Sequence, residues 1–209
     1  MNETKWAEFP GQIDFCAGER QRDDLKFVRT MLTELQGRFS IDSERVYAVG
    51  FSNGGKFAAR CAVELSDRFA ATVSSGGGGA LPSDTTLTPV GMLPVMLEFG
   101  TRDNKLLTRL GVPGPLPMGF SKLFTTYPGL YGSIVQPFVD AFAQDPVNFT
   151  VTGDSTSYLI ANFHGLSNDP KNVFKLVEVR GLEHEYPNGV NHELNGAQLH
   201  WAWMKAFSR

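Results

Sequence analysis

Val46-Tyr47-Ala48-Val49-Gly50-Phe51-Ser52-Asn53-Gly54-Gly55 is the stretch that decides how this chain folds. Four residues rich in β-branched and aromatic types run straight into Gly-x-Ser-x-Gly. Beyond it, Phe57, Ala58, Cys61, Ala62 and Leu65 recur at helical spacing between Lys56 and Leu65. A strand, a tight turn with a serine at its apex and then a helix make the setting of a nucleophile elbow. Gly50 and Gly54 carry no Cβ, so strand and helix are expected to pack close to that turn. The helix behind the serine aims its N-terminal amides at the place where an oxyanion would form. The alternative is an ordinary strand-to-helix turn whose serine faces solvent.

Upstream of the elbow, the spacing of Leu25, Val28, Leu32 and Leu35 predicts a helix over 23–36, with Asp23 or Asp24 as its cap and Gly37 at its end. Downstream, 69–74 and 93–99 read as strands, the first followed by Gly76-Gly77-Gly78-Gly79. Those glycines are read as a loop tip, with backbone held close to a ligand as the alternative. From Lys105 to about Tyr131 the chain is rich in Pro and Gly, and an excursion over the surface is expected. A short helix over 135–143 follows, then a hairpin turning at Gly153-Asp154, read as a decoration. A strand over 173–179 and a last helix capped by Asn191 complete the pattern. Strands alternating with helices predict an α/β fold: a mostly parallel sheet with helices on both faces, carrying a lid or insertion at about 105–170.

Length and composition narrow the setting. The 209 residues suit one domain over 1–209, with 42% hydrophobic and 20% charged residues. A net charge of −3 gives no reason to expect nucleic acid or an anionic membrane as partner. No apolar run approaches a membrane span. The four histidines are scattered and no Cys-x-x-Cys occurs, so neither a metal nor another cofactor is expected. Cys16 and Cys61 allow one disulfide or two thiols, and an oligomeric state is not set by these features. Met1 to Trp6 has neither a basic nor an apolar leader segment, so it is not read as a signal peptide.

An activated serine needs a base within hydrogen-bond reach and a third group to hold that base. In open α/β sheets the functional groups sit just past the carboxyl ends of strands. Asp103, after strand 93–99, and His184, after strand 173–179, satisfy this rule in the order serine, acid, histidine. The competing histidines are His164 after the hairpin, His192 at the start of the last helix, and His200 within it among Leu199, Trp201 and Trp203. The competing acids are Asp84, Glu183 and Glu185, and Asp103 could simply form the turn in Thr-Arg-Asp-Asn. The amide of Asn53 is the expected oxyanion donor.

Asp23 to Val28, Ile41 to Gly55 and Glu64 to Ala71 resemble the poly(3-hydroxybutyrate) depolymerase and feruloyl esterase group of α/β-hydrolases. Phe99-Gly100-Thr101-Arg102-Asp103 is similar to that group's acid loop, and Gly181-Leu182-Glu183-His184-Glu185-Tyr186-Pro187-Asn188-Gly189 to its histidine loop. The resemblance implies an exported serine esterase, with Ser52, Asp103 and His184 catalytic and an ester of a polyester or of feruloylated or acetylated polysaccharide as substrate. Glu183 and Tyr186 stand where the group has Gly and Trp, which makes Tyr186 a candidate substrate contact. The group also has several strands ahead of the elbow, one loop of which supplies a second oxyanion donor. Only a helix and a loop precede Ser52, so the chain resembles roughly the C-terminal two-thirds of such an enzyme, with an unpaired edge on the elbow strand. Amides of Gly76 to Gly79 are candidates for the missing donor. Two other functions fit the same features. One is an inactive relative that binds a glycan or polymer through Phe120 to Tyr131; the other is a small-molecule esterase or peptidase.

Overall fold

The computed structural model describes residues 5–7, 23–77 and 88–209. Cys16, Gly78, Gly79 and Asp84 lie outside the described residues. Six strands, β1 (Tyr47–Phe51), β2 (Ala71–Ser75), β3 (Val95–Gly100), β4 (Gln144–Asp154), β5 (Tyr158–Gly165) and β6 (Val173–Val179), form one sheet in the order β1-β2-β3-β6-β5-β4. The first four of that order run parallel, and β5 and β4 run antiparallel to their neighbours. Every residue of β2 and β3 is buried, as expected for central parallel strands covered on both faces.

The helices are α1 (Asp24–Arg38), α2 (Asn53–Glu64), α3 (Asn104–Leu110), α4 (Phe120–Thr126), α5 (Pro128–Leu130), α6 (Gln136–Ala141) and α7 (Gly196–Met204), with a π-helical turn at Tyr131–Val135 before α6. Asp23 caps α1 by accepting from the Lys26 amide at 2.9 Å. One face of the sheet packs against α2, α3, α4 and α6 around Phe57, Leu97, Phe120, Phe138 and Phe174. The other face packs Val73, Met96, Val177 and Val179 against Leu194 and Met204 of the α7 region. Phe174 stacks on Phe138 at 5.9 Å and meets Phe163 at 5.0 Å. Burying such a side chain contributes about 1.5–3 kcal/mol.

Several expectations need correcting. Residues 105–131 are not a surface excursion. Leu106, Leu116, Phe120, Leu123 and Leu130 are buried in the main core, all but Leu116 carried there by the short helices of this stretch. The Phe120 to Tyr131 aromatics likewise face one another and Phe149 rather than forming an open binding face. The hairpin is no decoration: β5 pairs with β6 from Tyr158↔Val179 to His164↔Val173, so β4 and β5 extend the sheet. Gly37 lies inside α1. The last helix starts at Gly196 with Asn195 as its cap, while Asn191 serves the preceding loop. Among the described residues β1 pairs only with β2, and Val49 on it is 45% exposed.

Candidate active site

Ser52 stands between β1 and α2 with φ 55° and ψ −118°. A non-glycine residue at positive φ is strained and persists only where its surroundings hold it. Its N–H donates to the Ser75 carbonyl at 2.9 Å, which ties the turn to the end of β2. Gly50 makes the turn sterically feasible, since a Cβ there would stand 1.9 Å from the Gly54 carbonyl oxygen. Gly54 itself has open space where a Cβ would go; Gly55 is the second glycine that allows close approach, since a Cβ there would lie 2.7 Å from the Ser75 oxygen. Ser52 occupies the N-cap of α2 but makes no side-chain cap bond, so its Oγ is not spent on the helix.

Gly100 pairs with Val179, so the loops that follow β3 and β6 leave the sheet side by side. They are locked together: Arg102 N–H donates to the Leu182 carbonyl at 3.0 Å and Gly181 N–H to Thr101 Oγ1 at 2.8 Å. A Cβ on Gly100 would lie 2.1 Å from the Leu182 oxygen. The result is a hydrogen-bonded line. His184 Nε2 is 2.8 Å from Ser52 Oγ, and His184 Nδ1 is 2.9 Å from Asp103 Oδ2. The Asp103 side chain is 3% exposed and that of His184 12%, so the pair is largely shielded from water. Asp103 also forms the turn that the sequence allows, because its Oδ1 accepts from the Lys105 and Leu106 amides at 3.0 Å each.

The competitors are placed elsewhere. Glu183 is exposed, Glu185 accepts from Asn191 Nδ2, His192 Nδ1 accepts from the Leu194 amide, and His164 is exposed on β5. Asn53 is the first residue of α2, and its side chain pairs with the Trp6 backbone at 2.8 and 3.0 Å. Gly76 sits against Phe51 and His184, but its N–H donates to the Glu98 carbonyl at 2.8 Å. That bond removes it from the oxyanion donors. Gly77 lies beside Gly55 and the Lys56 nitrogen at the start of α2. Tyr186 turns its hydroxyl away to His200 Nδ1, 2.8 Å off, and leaves its ring edge on Phe51.

Residues 17–109 match the model of the dienelactone hydrolase family. That span holds Ser52 and Asp103. NocK of Nocardia uniformis subsp. tsuyamanensis, a protein with an esterase name, is 41% identical over 81 residues, 38% of this chain and 23% of NocK. Feruloyl esterase B of Piromyces equi is 29% identical over 92 residues, 43% of this chain and 17% of that enzyme. The chain thus matches less than a quarter of the length of these two relatives. Among solved structures, the acetyl xylan esterase from Aspergillus awamori superposes with a TM-score of 0.50 at 14% identity, covering 86% of this chain and 66% of that one. The chain has an α/β-hydrolase fold.

Beneath the surface lie titratable groups that take no part in the line from Ser52 to Asp103. His200 Nε2 is 3.1 Å from Glu98 Oε2, and Glu98 Oε1 accepts from Ser75 Oγ at 2.6 Å. Glu178 on β6 is fully buried; one carboxylate oxygen accepts from the Gly119 amide at 2.8 Å and the other has no hydrogen-bond partner. Burial pushes its pKa up to about 7. A glutamate inside the otherwise apolar strand β3 marks Glu98 as unusual, but its partner cannot be read from the sequence around it. Cys61 is buried in α2 as a free thiol, and burial raises it to about 12, the state of an inert cysteine. Among the described residues no group of three or more His, Cys, Asp or Glu side chains gathers as a metal ligand set would, and no helix is long and apolar enough to cross a membrane.

Proposed function

We propose that this chain is a carboxylic ester hydrolase, acting as one domain through Ser52, His184 and Asp103. The observation that carries the reading is the continuous line from Ser52 Oγ through both ring nitrogens of His184 to Asp103 Oδ2, at 2.8 and 2.9 Å. In the productive tautomer His184 Nδ1–H donates to Asp103, which leaves the Nε2 lone pair to accept from the serine hydroxyl. Ser52 Oγ attacks the ester carbonyl carbon while Nε2 takes its proton. The carbonyl oxygen becomes an oxyanion, which the positive end of the α2 dipole behind Ser52 stabilises. Collapse expels the alcohol, which takes the proton from Nε2, and an acyl-serine remains. Water then repeats the sequence and releases the acid.

The local likeness to feruloyl esterase B supports esterified plant polysaccharide as the substrate class, with an aliphatic polyester as the competing source of the same ester bond. The family resemblance of the histidine loop supports an exported protein. Turnover of p-nitrophenyl acetate and butyrate by the wild type and by Ser52→Ala tests the reaction: rates that do not differ would end the esterase reading in favour of a binding protein. Methyl ferulate hydrolysis against clearing of a polyester film then separates the substrates.

A further inference from the structure

Glu98 and His200 form a second carboxylate–imidazole pair, 2% and 1% exposed, that takes no part in the proposed chemistry. A buried carboxylate and imidazole persist only when their donors and acceptors are met, and here they are met by groups that lead to the candidate site. Glu98 accepts from Ser75 Oγ through one oxygen and faces His200 Nε2 with the other. An acceptor on Nε2 fixes the proton there, so His200 Nδ1 accepts, and its partner at 2.8 Å is the Tyr186 hydroxyl. The proton roles are therefore set along the whole line: Ser75 and His200 donate to Glu98, and Tyr186 donates to His200. Burial, with the Glu98 charge adding to it, holds the phenol in its protonated form by raising its pKa to about 12.

Two branches of this line end on the same imidazole. Tyr186 lies two residues beyond His184, and its ring meets Phe51 edge-on at 6.3 Å. Phe51 in turn lies 5.0 Å from the His184 ring. On the other branch, Glu98 holds Ser75 by its side chain and Gly76 by its carbonyl. The Ser75 carbonyl receives the Ser52 N–H, and Gly76 is wedged against Phe51 and His184. A pair needed only to glue β3 to α7 would have no reason to reach both the elbow and the histidine loop.

We infer that Glu98 and His200 are positioning residues for the proposed active site, setting the place of the His184 ring against Ser52 through Tyr186 and Phe51 on one side and Ser75 and Gly76 on the other. The inference rests on the esterase reading for its kinetic consequence, though not for its structural one. Tyr186→Phe removes one hydroxyl and keeps the ring, so it severs the line without emptying the core. Expected for p-nitrophenyl acetate is a fall in kcat of about tenfold to a hundredfold, the range set by sub-ångström to ångström misplacement of a catalytic group, with KM changed by less than about twofold. His200→Asn moves kcat the same way. In proton NMR, the His184 Nδ1–H signal shifts or broadens in both variants. Wild-type kcat together with an unmoved His184 signal in Tyr186→Phe overturns the inference, whatever happens to the melting temperature. If the wild type hydrolyses no ester, the functional reading fails and the His184 signal alone decides the positioning role.

Discussion

Asp103 divides its two carboxylate oxygens, giving Oδ2 to His184 at 2.9 Å and Oδ1 to the first turn of α3. The division separates chemistry from folding in a way that two variants can read. Asp103→Asn keeps an oxygen for the cap but cannot hold the imidazolium, so kcat should fall about 10³–10⁴-fold with stability nearly kept. Asp103→Ala should match that loss of rate and also cost about 1 kcal/mol from the missing cap. Steady-state kinetics beside urea unfolding distinguishes them, and equal unfolding midpoints for the two variants would show that the cap carries no weight.

At Ser52 the strain itself is measurable. Its φ of 55° disfavours any residue with a Cβ, so Ser52→Gly should be more stable than Ser52→Ala by about 1 kcal/mol. Both should abolish serine-dependent turnover. Thermal melts that rank Ala above Gly would mean that the elbow is not strained.

The elbow glycines are expected to behave oppositely. Gly50→Ala would force a Cβ to within 1.9 Å of backbone oxygen, so either the strand or α2 must move. A loss of more than about 3 kcal/mol, or failure to yield soluble protein, is the expected result. Gly54→Ala meets nothing within 4 Å and sits in a helix, so it should be neutral or stabilising by up to about 1 kcal/mol. Circular dichroism melts of the pair check both signs.

Glu178 gives a pH signature. Its pKa is pushed up from 4.5 to about 7 by burial, so the folded state favours the protonated carboxyl. Stability is full below about pH 4.5, falls as pH rises through the interval up to 7, and then levels at a deficit on the order of 3 kcal/mol. Glu178→Gln removes the titration, so its unfolding midpoint should stay flat over that interval and exceed the wild type's at pH 8. Parallel pH profiles for the two proteins would assign the decline to other groups.

Much of this architecture could be read from residue order, and the omissions share a cause. The strand at Val173–Val179 and the elbow are visible because their signals are local: a run of apolar residues, a glycine spacing, a helix behind. The strand-end rule marks Asp103 and His184 without any knowledge of distance. The hairpin's membership of the sheet depends on pairing between β5 and β6, which alternation within the hairpin does not encode. The stretch from Lys105 reads as exposed because Pro113, Pro115, Pro117 and Gly119 erase the periodicity, while burial of Leu116 and Phe120 comes from packing against distant strands. The Glu98–His200 pair joins residues 102 positions apart, so nothing near either one announces it.

The reversal of strand direction at β6 has a practical consequence. Because Tyr158 pairs with Val179, the exposed turn at Asp154, Ser155 and Thr156 opens at the same end of the sheet as the loop bearing His184. Arg180 fastens the two by donating its N–H to the Ser157 carbonyl and its Nε–H to that of Ser155. Lengthening this turn would therefore build out the rim beside the histidine loop while leaving all six strands in register.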